Sequence, residues 1–366
     1  METRQAPTVQ EVPSDTTIEY IAEGAANVIY RLDAQDASKP TNPAFSGRLL
    51  RLRKAIPSGL PNTKSMGLFR DMIAPLLPRG SYVEQELVKL PPSLLVSCNA
   101  RLRADEQTGK RPKRRHGVYL AEDEPFGLLV TDMTPDQEQG EVLVELKPKW
   151  LVQSPTAPPG ARRCRTCALR SRRNALRRRE AEQGHDLGPE ENWPFCPLDL
   201  VSADQDRLSR AVTMIVEKTV QHNLHRKQKI QGPSTAGMND EQELRSYLER
   251  GILSYVDDKD RSVLPRLREL QTTLDPVGVF KADISSPDFS RAMTLRDCTL
   301  FLKLSPREGS EVEARLGDLD FKLPDEGKKE YWRSLETSLI DEGWYQMTEH
   351  ERDPDERSAL CALSTT

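Results

Sequence analysis

Alternating apolar and polar positions predict strands over the first 150 residues. The small-residue turn EGAAN lies between TTIEYI and VIYRL, and the strand pattern returns in SGRLLRLRK, HGVYL, GLLVTDM and EVLVELKPK. One segment, SMGLFRDMIAPLL, has helical spacing and ends near Pro78. After a disordered lead at 1–15, residues 16–150 are therefore predicted to form a mostly antiparallel N-terminal lobe, with a hairpin loop at 33–46.

Helical spacing dominates the remainder, which begins at a Pro-rich segment, 154–159. An amphipathic helix is predicted over 203–228. Its apolar face consists of Leu208, Ala211, Val212, Ile215, Val216 and Val220. A second helix is predicted over 240–256, a strand hairpin from CTLFLKL and ARLGDLDFKL, and a last helix from KKEYWRSLETSLIDEGWY. The chain is thus predicted to be α/β (α+β), with residues 151–366 as its C-terminal lobe.

Composition fits an ordinary soluble globular protein, with 30% charged and 36% hydrophobic residues among 366. No apolar run approaches the roughly 18 residues of a membrane span. The polar N-terminus has no signal-peptide core. We therefore expect an intracellular protein of the nucleus or cytoplasm, monomeric and without a membrane partner.

Positive charge is concentrated in two segments although the net charge is −4. Residues 101–115 carry seven basic side chains against two acids, and residues 162–179 carry nine arginines and no acid. Such clustering in an acidic protein favours a local anion site over nucleic-acid coating. For 170–179 a solvated helix face remains the alternative. Because segments 101–115 and 160–195 are poor in apolar residues, we expect them to be mobile until an anion orders them.

The six cysteines do not suggest a disulfide framework in a chain of this length. Cys164 and Cys167 form a CxxC pair, and Cys196 follows downstream. Reduced thiols are the simplest interpretation. A zinc site would need a fourth ligand, such as His185. Redox chemistry is disfavoured because the βαβ context of a redox CxxC is missing.

Small and basic residues in the first lobe could bind phosphate. The loop Glu23–Asn27 would let backbone N–H groups approach phosphate oxygens, although a tight hairpin explains it equally well. Arg51, on a predicted strand, could grip phosphates bidentately. If their strand persists, Glu145, Lys147 and Lys149 share one face. Two lysines directed into a cleft would bind a polyphosphate strongly.

Carboxylates near the end of the chain could complete a phosphoryl-transfer site. Asp297 precedes one predicted strand, Asp318 and Asp320 share a face of the next, and a hairpin would bring Asp297 near Asp318. Converging carboxylates suit Mg²⁺, and one could accept a proton from a hydroxyl. Simple turn aspartates are the alternative. The GxGxxG, HRD and DFG motifs of protein kinases and the Walker loop are all absent from the sequence.

Seven motifs in order resemble the inositol-pentakisphosphate 2-kinase family: EGAAN, LLRLRK, VELKPKW, CRTCALR, FCPLDLVS, LRDCTLFLKL and GDLDFKL. They extend over residues 23–323, and EYWRSLETSLIDEGWY looks similar to fungal members. The resemblance implies a two-lobed kinase fold with an ATP cleft between the lobes. It also implies transfer of the ATP γ-phosphate to the 2-hydroxyl of inositol 1,3,4,5,6-pentakisphosphate, giving inositol hexakisphosphate (phytate).

The resemblance also assigns roles to individual residues. Asp297 would deprotonate or orient the 2-hydroxyl, with Lys147 as a second catalytic residue, and Asp297 and Asp318 would hold Mg²⁺. ATP would contact Gly24, Ala25, Ala26, Asn27, Arg51, Val130, Thr131, Asp132 and Glu145. The inositol phosphates would contact Arg115, Lys147, Lys149, Arg165 and Lys322.

Departures from the family pattern leave some roles open. Ala22 stands where many members have glycine, and Cys167 stands where plant-like members carry a substrate lysine, which Arg165 or Arg170 could replace. Either Lys328 or Lys329 could take the next basic role. The Cys and His ligands of the plant-type zinc site are absent from the C-terminal third, so no such zinc is predicted.

Two other functions compete with this prediction. The arginine-rich stretch 162–179 would suit a non-catalytic module that binds inositol phosphate or RNA, although no nucleic-acid partner is expected. A kinase for a less phosphorylated inositol is the other alternative.

Overall fold

The structure, a computed structural model, describes residues 9–33, 45–57, 59–184, 195–229, 241–307, 309–346 and 361–364. The chain divides into two compact units. The N-terminal unit consists of Met1–Pro75 with Val83–Met133, and the C-terminal unit of Leu76–Tyr82 with Thr134–Thr366. Within the described ranges no helix is both long and apolar enough to cross a membrane.

Six strands of the described N-terminal unit form one sheet, in the order β1-β5-β6-β4-β3-β2. They are β1 (Gln10–Glu11), β2 (Thr17–Glu23), β3 (Asn27–Asp33), β4 (Arg48–Arg53), β5 (Gln85–Lys89) and β6 (Phe126–Thr131). All neighbours pair antiparallel except β1, which runs parallel to β5. The predicted antiparallel lobe is therefore largely confirmed.

Strand alternation covers both faces of this sheet with apolar side chains. Leu50 and Leu52 of β4 join the cluster that contains Leu95 from helix α2 (Pro92–Gln107). Leu49, one residue earlier, belongs to a cluster on the other face that includes Met66 from helix α1 (Asn62–Leu68). The sheet is thus a buried layer between helices, which explains its Leu-rich strands.

Three strands of the described C-terminal unit form a second sheet, in the order β7-β8-β9. They are β7 (Val142–Leu146), β8 (Thr299–Leu304) and β9 (Glu313–Gly317). Both pairs are antiparallel, as predicted for β8 and β9. The predicted lobe boundary at residue 150 is wrong, because β7 pairs with β8 and so belongs to the C-terminal unit.

Six described α-helices belong to the same unit as this smaller sheet. They are α3 (Arg165–Glu182), α4 (Gln205–Lys229), α5 (Glu241–Val256), α6 (Leu264–Leu274), α7 (Pro287–Leu295) and α8 (Glu326–Asp341). All six apolar residues predicted to line α4 are at most 4% exposed, so that prediction is confirmed. Ser286 caps α7 by accepting a hydrogen bond from the Phe289 N–H, and Pro287 begins the helix.

Two other predictions for the first lobe need correction. The segment HGVYL is not a strand, since only Leu120 makes an isolated bridge, to Lys54. The predicted disordered lead contains β1 and Val12, which is 1% exposed in the core. The hairpin loop predicted at 33–46 lies mostly outside the described residues.

Two buried ion pairs surround Trp150 in the C-terminal unit. Arg165 Nε donates to Glu336 Oε2 over 2.7 Å, and Arg296 Nη1 donates to Asp275 Oδ2 over 2.6 Å. Both guanidinium groups lie over the Trp150 ring, at 4.5 and 3.7 Å from its centre. The four charged side chains are at most 9% exposed. Charges this deep persist only when they are paired.

Glu336 accepts four of the hydrogen bonds in this network. Besides Arg165, the hydroxyls of Ser154, Thr156 and Tyr345 donate to Oε1, at 3.1, 2.6 and 2.6 Å. Burial opposes the ionisation of Glu336, but Arg165 and the hydroxyl donors outweigh it and hold the pKa of this carboxyl below its usual value. Glu336 is therefore a charged anchor between α8 and the start of α3.

We expect Glu336→Ala to lower the free energy of unfolding by about 3–5 kcal/mol, because it leaves Arg165 buried without a partner. Urea unfolding at pH 7 measures this. Glu19→Ala, which breaks the exposed pair with Arg31, is the control and should cost at most about 1 kcal/mol.

The same pair predicts a pH dependence. Because the pKa of Glu336 is lower in the folded chain than the unfolded value of about 4.3, its stabilisation is complete above that pH. It is lost as the pH falls through the folded pKa. The stability gap between wild type and Glu336→Ala should therefore narrow below about pH 4. A gap that stays constant down to pH 3 would contradict the assignment.

Candidate active site

Three strand ends meet at one edge of the C-terminal sheet. Because β7, β8 and β9 are antiparallel neighbours, the end of β7, the start of β8 and the end of β9 lie side by side. Leu146 is in register with Leu300, and Thr299 with Gly317. The residues just beyond these ends, 147–149, 297 and 318, are therefore brought together from distant parts of the chain.

The Asp297 carboxylate is surrounded by lysines at this edge. Lys149 Nζ donates to Oδ1 over 2.9 Å and Lys322 Nζ donates to Oδ2 over 3.0 Å. Lys147 Nζ lies 3.7 Å from Oδ1 and donates to the Asp297 carbonyl over 3.1 Å. Lys147 also donates to Asp318 Oδ2 over 2.7 Å. The predicted proximity of the lysine pair and the aspartates is confirmed.

Electrostatics at this cluster keep Asp297 ionised. Burial opposes its charge, but Lys149 and Lys322 hold the pKa of Asp297 far below the usual value. Burial lowers the pKa of Lys149 although Asp297 opposes this, and the charges of Lys147 and Arg173 lower it further. For Lys147, burial is outweighed by Asp318, so its pKa is raised. At neutral pH Asp297 and Lys147 are therefore both charged, and both side chains are partly exposed.

Two residues of the cluster have left-handed backbones. Lys149 has φ of 56° and Asp318 has φ of 58°, and within the described ranges no other non-glycine residue has positive φ. This conformation is costly for residues with a Cβ and concentrates at functional sites. Strand β7 ends at Leu146, so the condition for a shared face of Glu145, Lys147 and Lys149, that the strand persists to Lys149, is not met.

Buried polar side chains hold this strained backbone in place. Gln271, fully buried in α6, donates to the Lys149 carbonyl over 2.8 Å and accepts from the Leu151 N–H over 2.8 Å. Thr294 of α7 accepts from the Lys322 N–H over 3.0 Å. The backbones at Lys149 and Lys322 are thus fixed, which pre-organises the cluster.

A second polar centre lies at the β2–β3 turn of the N-terminal unit. Glu23, whose side chain is 2% exposed, forms ion pairs with Lys54 and Arg111. Lys54 Nζ also donates to the Gly24 carbonyl over 2.8 Å. This buried trio anchors the turn that carries the predicted phosphate loop. It also shows that segment 101–115 is anchored at Arg111, contrary to the premise that little holds it down.

Gly24 and Ala25 of the predicted phosphate loop are exposed at this turn. The Gly24 N–H donates to the Asn27 carbonyl over 2.9 Å, which closes the hairpin through Ala25 and Ala26. With its amide oriented to satisfy its neighbours, Asn27 accepts from Arg51 Nη2 over 2.8 Å. Gly24 has no positive φ, and a Cβ there would meet only the Asn27 oxygen, at 3.8 Å. The described protein therefore does not itself require glycine at this position.

Three further predicted ligands, Arg115, Val130 and Asp132, belong to the N-terminal unit. Arg115, on a 3-10 turn, lies close enough to influence Tyr20 and Lys54 electrostatically. Val130 is buried near the end of β6, and Asp132 follows that strand. These two residues lie just before the end of the N-terminal unit at Met133.

Glu145 is exposed on β7, and its charge acts on Lys218 of α4. Lys328 donates to the Leu323 carbonyl over 3.3 Å and lies 3.6 Å from Asp325. These contacts do not join either residue to the Asp297 cluster. A role for Glu145 beside adenine stays a prediction.

The structure does not support the predicted role of Arg165 as a substrate ligand, because its guanidinium is buried against Glu336 and Trp150. Arg170, the other substitute, donates to the Phe195 carbonyl over 3.1 Å and to Cys167 Sγ over 3.5 Å. Arg173, three residues further along α3, is the one whose charge reaches Lys149. The helical spacing from Arg170 to Arg173 could have indicated Arg173 as a candidate. Sequence alone could not show which of these arginines acts on Lys149.

An ionised carboxylate held by ammonium groups, next to a second carboxylate, can accept a hydroxyl hydrogen bond while the lysines bind anionic oxygens. Phosphoryl transfer needs little more than such positioning and charge stabilisation. A mixed α/β unit with this site defines a phosphotransferase that acts on an anionic substrate.

Comparisons with known proteins identify its family. A sequence profile of inositol-pentakisphosphate 2-kinase matches residues 20–338. The inositol-pentakisphosphate 2-kinase of Yarrowia lipolytica is 28% identical over 350 residues, which cover 89% of this chain and 91% of the relative. The protein of that name from Candida glabrata is 23% identical over 345 residues, 87% of this chain and 96% of its own length. A Cryptococcus neoformans relative is 27% identical over 222 residues, 56% and 48% of the two chains.

The chain belongs to the inositol-pentakisphosphate 2-kinase family and is an ATP-dependent kinase. The resemblance stated from seven short motifs, including its fungal character, is therefore confirmed.

We expect Asp318→Gly to be more stable to urea than Asp318→Ala by about 1 kcal/mol, because glycine adopts positive φ without steric cost. Both variants should lose most phosphotransfer activity, since both lack the carboxylate beside Lys147. Gly109→Ala is the matched control: its φ is 71° and a Cβ there meets nothing within 4 Å, so it should cost a similar amount. Equal stability of the two Asp318 variants would mean that this backbone is not strained.

Proposed function

We propose that this chain transfers the γ-phosphate of ATP to the 2-hydroxyl of inositol 1,3,4,5,6-pentakisphosphate, giving inositol hexakisphosphate. The observation that carries the proposal is the Asp297 carboxylate held by Lys147, Lys149 and Lys322 at one sheet edge, in a chain of this family. The non-catalytic alternative loses support, because the chain belongs to a family of kinases.

The lysines supply the acceptor's phosphate ligands in this proposal. In the absence of substrate, Asp297 and Asp318 balance part of the charge of the three lysines. A polyanionic inositol phosphate would compete for the same ammonium groups, and its charge-assisted hydrogen bonds would replace those to the carboxylates. Arg173 adds a further cation near Lys149. The density of cations favours a highly phosphorylated acceptor over a less phosphorylated one.

Asp297 would orient the attacking hydroxyl. Its low pKa keeps it ionised at neutral pH, so it can accept the hydroxyl's hydrogen bond but is a weak proton acceptor. As the lysines turn toward substrate phosphates, the pKa of Asp297 should rise toward its usual value. A loose transition state needs little early deprotonation, so orientation is the main contribution.

Asp297 and Asp318 are also suited to hold Mg²⁺. The ion usually binds through one or two carboxylates together with substrate phosphates. The two carboxylates share Lys147, and their side chains are 40% and 52% exposed, which leaves oxygen atoms accessible. When bound, the metal would neutralise charge on the transferred phosphoryl group.

The N-terminal unit would contribute the nucleotide ligands. The turn from Gly24 to Asn27 is anchored by the buried Lys54 and Glu23 and flanked by Arg51. Neither backbone conformation nor packing requires glycine at position 24, which is consistent with close approach of a ligand from outside. A guanidinium beside a small-residue turn is suited to polyphosphate.

Incubation of the full chain with ATP, Mg²⁺ and inositol pentakisphosphate should yield inositol hexakisphosphate, which anion-exchange chromatography separates. A panel of inositol tris- and tetrakisphosphates should react much more slowly, because they offer fewer phosphates to the lysines. A folded protein that makes no hexakisphosphate would overturn the proposal, and equal rates across the panel would overturn its acceptor.

We expect Asp297→Asn to lower kcat by about 10²–10⁴-fold, as loss of a hydroxyl-orienting carboxylate does. Substrate affinity, measured by calorimetry, should be unchanged or higher, because Asn competes less for Lys149 and Lys322. Asp288→Asn is the matched control: Asp288 is exposed in α7 and pairs with Arg291, so the change should leave both quantities near wild type. A kcat within threefold of wild type for Asp297→Asn would remove this residue from the mechanism.

A further inference from the structure

Four cysteines from distant parts of the C-terminal unit meet in one buried cluster. Cys164 precedes α3, Cys167 lies in its first turn, Cys196 precedes the 3-10 turn Pro197–Val201, and Cys361 lies in the segment 361–364. Their Sγ atoms all lie within 4.8 Å of one another. Each residue is at most 3% exposed. This group, here the four-cysteine cluster, is separate from the Asp297 site.

The sulfur spacing fits a metal ion. Cys196 Sγ lies 3.8 Å from both Cys164 Sγ and Cys361 Sγ. A disulfide would need about 2.05 Å, so these sulfurs are not bonded to each other. Four thiolates at about 2.3 Å from a tetrahedral Zn²⁺ are separated by about 3.8 Å. The cluster therefore has the dimensions of one ion with four sulfur ligands.

Hydrogen-bond donors around the cluster favour thiolates. The Cys164 N–H donates to Cys361 Sγ over 3.1 Å, and the Ala362 N–H lies 3.5 Å from Cys196 Sγ as a donor. Arg170 Nη2 donates to Cys167 Sγ over 3.5 Å and brings a positive charge. Four thiolates around a divalent cation carry a net charge of −2, which Arg170 and the amides partly offset. Neutral thiols buried for packing alone would not need these donors.

We propose that Cys164, Cys167, Cys196 and Cys361 bind one structural Zn²⁺. The spacing of the first pair is that of zinc ligand pairs, and four protein ligands leave no open position for a substrate. The fourth ligand is thus Cys361, some 165 residues after Cys196. His185, the ligand considered from sequence, lies outside the described residues. The proposal goes beyond the kinase activity and does not depend on it.

The ion would fasten three segments together. It would join the start of α3, the turn at Pro197–Val201 and the segment 361–364, which also meet through Leu198, Ala362 and Leu363. Helix α3 carries Arg173, whose charge acts on Lys149. Metal binding would therefore stabilise the unit that holds the Asp297 site without taking part in the chemistry.

Metal analysis of the full chain, purified without chelators and with any affinity tag removed, tests the proposal. We expect one zinc per chain in the wild type and in Cys98→Ser, a matched change of a buried cysteine in the N-terminal unit. Cys361→Ser and Cys196→Ser should retain far less than one. Protein loaded with Co²⁺ alone should show the visible absorption of tetrahedral cobalt–thiolate, which these two variants should lose.

A readout on wild-type protein covers the case in which the variants do not fold. Titration with an organomercurial in the presence of a zinc-sensitive dye should release one zinc as four thiols react. Substoichiometric zinc without a cobalt–thiolate spectrum would overturn the proposal. Iron in place of zinc, or a disulfide among the four cysteines in the mass of the native chain, would also overturn it.

Discussion

The ion cluster around Asp297 is the interaction on which the active site depends. Lys147, Lys149 and Lys322 repel one another, and the carboxylate is the counter-charge that allows them to converge. A polyphosphate can replace that counter-charge, which frees the carboxylate for the acceptor hydroxyl. The charges that assemble the site without substrate therefore also suit it to bind substrate. Substrate phosphates can replace the carboxylates, reversibly, as the partners of the lysines.

Sheet geometry makes this cluster possible. Antiparallel pairing of β7, β8 and β9 places three strand ends at one edge, although Lys147 and Asp318 are 171 positions apart in the chain. Left-handed backbones at Lys149 and Asp318 turn the chain where the strands end, and Gln271 and Thr294 hold the adjoining peptides. The strained backbone and these buried hydrogen bonds thus orient the charged side chains of the cluster. The buried pairs around Trp150 and the proposed Zn²⁺ support the same unit from further away.

Local patterns predicted the parts of this structure that depend on local physics. The apolar face of α4 follows helical periodicity, and the convergence of Asp297 with Asp318 follows from a hairpin. The unit boundary was misplaced because the pairing residues of β8 lie 154 to 162 positions downstream of their partners in β7, and no local signal indicates so distant a partner. The burial of Arg165 and the place of Cys361 in the four-cysteine cluster were missed for the same reason. Whether an arginine meets phosphate or a buried glutamate is decided by tertiary contacts.

Competition between Asp297 and substrate for the same lysines is the central claim, and a double-mutant cycle on substrate affinity tests it most directly. Calorimetry would compare wild type, Asp297→Asn, Lys149→Met and the double variant with inositol pentakisphosphate. We expect Asp297→Asn to strengthen the binding of inositol pentakisphosphate when Lys149 is present, and to strengthen it less when Lys149 is replaced by methionine. Strictly additive effects, or weaker binding on loss of the carboxylate, would contradict it.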